Sequence, residues 1–208
     1  MSTSRKTIVL FAVASFAFVA DQGTKHLAVA HLTTALEGRE GIGDRFVGFL
    51  TETNLEGRRA RGDAVVIDGY WDHRYVQNPG AAWGLFSSLP EQIRTGFFLA
   101  ITLVAIVAIV WMYRRLDVDR WWMQSALALV LGGAVGNFVD RALRGYVIDF
   151  IDWHWRNVPG MHWPTFNVAD AAISIGVAMM LLDAAFGRRK RNRAKEPAAV
   201  PLEDALRA

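Results

Sequence analysis

The 208 residues are 52% hydrophobic, carry 23 Lys and Arg against 20 Asp and Glu for a formal net charge of +3, and include no cysteine. Without cysteine the chain has no disulfide, thiolate nucleophile, iron–sulfur cluster or lipid-modified thiol. Its mean hydropathy of +0.19 is reached with charges gathered into blocks rather than spread along every helix, which marks an integral membrane protein.

Arg5 and Lys6 precede a first apolar segment at about 8–32. A secretory signal would end in a small-residue cleavage site. This run instead meets Asp21 and Lys25 and continues through His26 to Ala30, so it reads as one retained helix. Asp21 and Lys25 stand four residues apart, share a helix face and offset part of each other's desolvation.

A polar region follows at 33–74, with EGREGIGDR and NLEGRRARGD; within DAVVIDGYWDHRYVQN, alternation assigns Val65, Ile67, Tyr70 and Tyr75 to short strands. The pattern predicts a small β-element lying on the membrane. Residues 76–84, which include Asn78 and Gly80, read as a glycine-bearing turn. Further apolar segments fall at about 93–113, 121–143 and 166–186. Each reaches the roughly 20 residues a helix needs to cross ~30 Å of hydrocarbon.

In the third segment, Gly132 and Gly136 form a small-xxx-small spacing, while Gly133, Asn137 and Arg141 follow at four-residue steps. One seam of this helix is therefore small and polar, and Asn137, Asp140 and Arg141 are expected to cluster on it. Asp140 reads first as a tie between helices; Arg141 reads equally as a tie or as a fork for a substrate carbonyl. Beyond Gly145, alternation over 146–151 predicts an extended segment lining the mouth of the bundle and carrying Asp149, with Asp152 as its rival. The tryptophan-rich WHWRNVPGMHWP then suits the headgroup layer. At the start of the fourth segment Asn167 fits an N-cap and Asp170 the acid of a capping box, a role that spacing alone does not separate from chemistry. The histidines show no HExxH spacing; His26, His31, His154 and His162 read as interfacial packing.

Basic residues collect before the first segment, between the second and third (Arg114, Arg115, Arg120) and after the fourth (RRKRNRAK). Four crossings place all three blocks on one side, so both termini are expected in the cytoplasm. The basic tail suits attraction to anionic lipid rather than nucleic acid. Asp149 and Asp170 fall at the opposite face. Charge is expensive beside hydrocarbon, so such a pair is a functional candidate and suggests proton chemistry at a bilayer surface.

The pieces DQGTK (21–25), NPGAAW (78–83), GGAVGNFVDRALRGYVIDF (132–150) and FNVADAAI (166–173), in this order on four helices, resemble the motifs of the lipoprotein signal peptidase, or signal peptidase II, family. The resemblance implies an α-helical integral membrane protein with four transmembrane helices and a small extracytoplasmic β-element. Residues 1–186 would form the peptidase, with an outer loop at about 33–92, and 187–208 a cytoplasmic tail. It implies a multi-pass aspartic endopeptidase of the bacterial inner membrane, with its site at the extracytoplasmic face. Such an enzyme removes signal peptides from prolipoproteins by cleaving before a diacylglyceryl-modified cysteine. Asp149 and Asp170 would be catalytic. Asn78, Gly80, Asn137, Arg141 and Asn167 would shape the site or hold substrate, and Asp21, Lys25 and Asp140 would give polar support. Neither metal nor organic cofactor is implied; the expected partners are the lipidated substrates and membrane lipid, with no nucleic acid, and the protein is expected to be a monomer.

Two other classes compete: an ion-coupled carrier, which expects acids near the midplane and often an internal repeat, and a noncatalytic scaffold glued by its polar seam. The chain departs from the family pattern in a longer connection after the first segment, readable as a gating flap or a tolerated surface loop, and in Trp83, where Phe is commoner.

Overall fold

The computed structural model describes residues 3–51, 62–80, 90–156, 158 and 160–187. Most of NLEGRRARGD, the AAW of the NPGAAW motif with Trp83, and the basic tail beyond Gly187 lie outside the described residues.

Four long helices form the body: α1 (Thr3–Leu32), α3 (Glu91–Arg115), α4 (Trp121–Arg144) and α5 (Val168–Leu182), the last running into a π-turn at Asp183–Gly187. Their apolar spans of 28, 25, 24 and 19 residues are long enough to cross a membrane. Between α1 and α3 lie a shorter helix α2 (Gly41–Thr51) and strands β1 (Ala64–Ile67) and β2 (Trp71–Asn78); β3 (Val147–Trp153) follows α4.

The α4 helix is the hub, packing on α1, α5 and α3. Its glycines explain how. A Cβ on Gly132 would lie 2.5 Å from the Ala14 carbonyl oxygen of α1, and one on Gly133 would lie 2.5 Å from the Ala169 oxygen of α5. From the α5 side, a Cβ on Gly176 would come within 2.6 Å of the Ala126 oxygen. Backbones thus touch where side chains would hold them apart, as close packing without a solvent-driven hydrophobic effect requires. The α3 helix is more peripheral and buries only Ile109 and Tyr113.

The α4 helix stops at Gly145, which takes a left-handed conformation (φ 79°) while its N–H donates to Arg141 O. This reversal feeds the chain into β3, which pairs with β2 in an antiparallel sheet ordered β1-β2-β3. Its register pairs Val76 with Asp149 and Asn78 with Val147, with a shift between His73 and Val76. Val147 to Phe150 are all buried, because the strand is wedged between its partner and the helix ends. Tyr70 differs from its expected place: it lies in the turn joining β1 to β2.

The α2 helix is absent from the sequence-based expectation. Three glycines in GIGDRFVGFLT lower its propensity, so tertiary anchoring must supply the difference. Phe49 is 2% exposed in a cluster with Val29, Leu36, Tyr146 and Ile148, and packs edge-on against His26. Asp44 accepts from Glu40 N at 3.2 Å and from Arg39 at 3.1 Å, holding the first turn.

Candidate active site

Asp149 and Asp170 arrive from different elements at the sheet-bearing end of the bundle. Asp149 sits on β3 and is 1% exposed; Asp170 sits in the first turn of α5 and is half-buried. Two asparagines join them. Asn167 Nδ2 donates to Asp149 Oδ1 at 2.6 Å and to Asn137 Oδ1 at 3.2 Å, and Asn137 Nδ2 donates to Asp170 Oδ1 at 2.8 Å. Asn78 of β2 donates to the other Asp149 oxygen at 2.9 Å.

The capping box foreseen for α5 is present: Asp170 N donates to Asn167 Oδ1 at 3.0 Å, and Asn167 N donates to Asp170 Oδ2 at 3.2 Å. Capping and chemistry are compatible. Each oxygen of the two carboxylates accepts one N–H donor and keeps a lone pair for a proton or a water. Burial first, then the charge of Asp170, push the Asp149 carboxyl up to about 7, against the pull of the Asn78 and Asn167 donors and the Lys25 charge.

Gly80 belongs to the mouth. Its N–H donates to Asn78 Oδ1 at 3.1 Å, and its carbonyl accepts from Arg141 Nη2 at 3.1 Å. The Arg141 guanidinium also lies 5.1 Å from the centre of the Phe98 ring of α3.

Asp140 and Arg141, adjacent in sequence, part company instead of clustering. Asp140 turns inward to Lys25 Nζ at 2.8 Å and Arg144 Nη1 at 3.0 Å, while Arg141 faces the Asn78 turn. Lys25 also reaches Asp21 at 2.8 Å and Asn137 Oδ1 at 3.0 Å, and all of Asp21, Lys25 and Asp140 are 0% exposed. Gly136 makes this possible, since a Cβ there would strike the Asp21 carboxylate.

Arg144 and Gln22 were not among the sequence-derived candidates. Arg144 also donates to Phe49 O, which ties α2 to α4, and Gln22 Nε2 donates to Asp21 Oδ2 at 3.0 Å. The four-residue step from Asp140 to Arg144 was the available signal. Asp152, the rival of Asp149, faces away toward His162 Nδ1 at 3.3 Å and takes no part in the asparagine network.

The family model described as signal peptidase (SPase) II matches residues 13–186. The chain is 48% identical over 176 residues to a lipoprotein signal peptidase of Anaeromyxobacter sp. (strain Fw109-5), covering 81% of this chain and 80% of the relative. It is 41% identical over 128 residues to the lipoprotein signal peptidase of Geobacter metallireducens, covering 62% and 76%. A bacterial membrane enzyme structure determined in meso at 2.3 Å resolution superposes with a TM-score of 0.61 at 28% identity, over 92% of this chain and 93% of that one.

Proposed function

The chain belongs to the signal peptidase II family of lipoprotein-processing aspartic endopeptidases, and from that premise we propose that Asp149 and Asp170 are its catalytic dyad. The observation that carries this reading is the Asn137–Asn167 amide pair, which bonds one oxygen of each aspartate and so holds two carboxyl groups of different elements together at one end of the bundle.

Two neighbouring carboxyl groups in a buried site do not both ionise cheaply, so the pair retains one proton near neutral pH. The ionised member takes a proton from water, which attacks the scissile carbonyl carbon, while the protonated member gives its proton to the carbonyl oxygen. A tetrahedral diol forms without an acyl-enzyme. Collapse returns a proton to the departing amine, releasing the signal peptide and leaving the lipidated cysteine as a new N-terminus. The pair titrates as a unit, so the proton belongs to both residues.

Asn78, Asn137 and Asn167 orient the dyad, and Gly80 and Arg141 form a polar edge where the substrate backbone lies. A dyad at the end of the bundle, rather than midway along it, suits a substrate whose diacylglyceryl chains stay in one leaflet. It also disfavours the carrier reading, which expects acids at mid-membrane. The site faces the extracytoplasmic side of a bacterial inner membrane, with the helix turn at 116–120 in the cytoplasm.

The test is cleavage of a diacylglyceryl-modified prolipoprotein by purified protein in detergent, beside Asp149→Asn, Asp170→Asn and an unlipidated substrate. Cutting before the modified cysteine by the intact dyad alone is expected. Substantial turnover by either folded variant would rule the dyad out.

A further inference from the structure

Beneath the dyad lies a charged cluster that touches neither the reacting atoms nor solvent. Asp21 accepts from the backbone N–H of Ala169 at 3.0 Å, and Asp140 accepts from the backbone N–H of Ile148 at 3.2 Å. Ala169 immediately precedes Asp170, and Ile148 immediately precedes Asp149. Each buried carboxylate therefore grips the backbone next to one member of the dyad. One ammonium joins the two grips: Lys25 Nζ is 2.8 Å from Asp21 Oδ2 and 2.8 Å from Asp140 Oδ2. Its remaining bond runs 3.0 Å to Asn137 Oδ1, which turns that amide's Nδ2 toward Asp170.

We propose that Lys25 is a positioning residue for this reaction, a three-armed clamp on α1 that sets the spacing of Asp149 and Asp170 and fixes the Asn137 amide between them. The inference rests on the dyad reading above. An ammonium suits the role because its three donors match three acceptors, all of which come from α1 and α4 yet hold β3 and α5. The Lys25 charge also favours the ionised form of Asp149, so its removal lets the dyad keep its proton to higher pH.

Lys25→Met alone leaves the buried Asp21 carboxylate without its counter-charge and is expected to unfold readily. The informative variant is Asp21→Asn with Lys25→Met. It removes one charge of each sign and leaves an amide oxygen at position 21 to accept from Ala169 N, while Asp140 keeps Arg144. Melting in detergent should recover toward wild type. With diacylglyceryl-modified substrate, kcat should still fall on the order of 100-fold with KM little changed, and the alkaline limb of the pH–rate profile should move upward. Recovery of melting, kcat and pH profile together would overturn the proposal and leave Lys25 a purely structural tie. Should the pair fail to fold, Lys25→Arg keeps the charge and alters the three-armed geometry. A lowered kcat with KM held supports the clamp, and a wild-type kcat overturns it. Asp149→Asn runs in parallel: if that variant cleaves, the dyad reading fails whatever Lys25 does.

Discussion

At the scale of single residues, the site is an arrangement in which every carboxylate oxygen of the proposed dyad already has a donor. Asp149→Asn or Asp170→Asn should lower turnover by about 1000-fold or more, while leaving the helical circular dichroism intact. The pH profile follows from the raised Asp149 carboxyl. With one proton needed on the pair, activity should decline as pH rises through about 7, where Asp149 gives its proton up. A rate that stays flat from about pH 6 to 9 would contradict a shared proton. Asp140→Ala should be a folding defect first, because it leaves the buried Lys25 and Arg144 charges short of a partner. Chemical denaturation should show a loss of about 3–5 kcal/mol.

At the scale of elements, the glycines of α4 and α5 make a sharp contrast with Gly96 of α3. Gly133→Ala forces a methyl against the Ala169 carbonyl and Ile173. It should cost about 1–3 kcal/mol and also depress activity, since Ala169 adjoins Asp170. Gly96→Ala meets nothing within 4 Å and should stabilise by up to about 1 kcal/mol. Thermal unfolding of the two variants in one detergent separates them.

The same scale shows what the chain discloses before it folds. The four spans are legible because a long, mostly apolar run has few alternatives, and β2 and β3 because alternation survives in the sequence. The α2 helix is not, since its glycines argue against a helix and its anchor, Phe49, works only once Tyr146 and Ile148 are in place. Nor is the division of labour between Asp140 and Arg141. A helix turns about 100° per residue, so neighbours face different partners, but which partners they face is decided by packing. The aspartate pair was legible through its motifs; the backbone grips of Asp21 and Asp140 were not, because main-chain donors carry no residue identity.

At the scale of the whole molecule, the basic blocks predict an orientation with both termini in the cytoplasm. The lack of any native cysteine makes it directly measurable. A membrane-impermeant maleimide should label Asp68→Cys in intact spheroplasts and Asp119→Cys only after permeabilisation, both positions being exposed. The reverse pattern would invert the enzyme and place its site in the wrong compartment. The bundle itself divides into a tight α1–α4–α5 unit and the peripheral α3, whose Phe98 underlies Arg141.

That division bears on how bacteria carrying such an enzyme would escape an inhibitor lodged at the proposed dyad. Gly133 and Gly136 of α4 pack against Ala169 and Asp21, beside the grips on the aspartates, so a substitution there that reshapes the site also unpacks the scaffold. Resistance therefore has little room on α4, α1 or the start of α5. It has more on the exposed face of α3 and on β1, where side chains are exposed and a change leaves the packing intact. Compounds whose contacts are confined to Asp149, Asp170 and the asparagines that join them would leave mutation the fewest ways out.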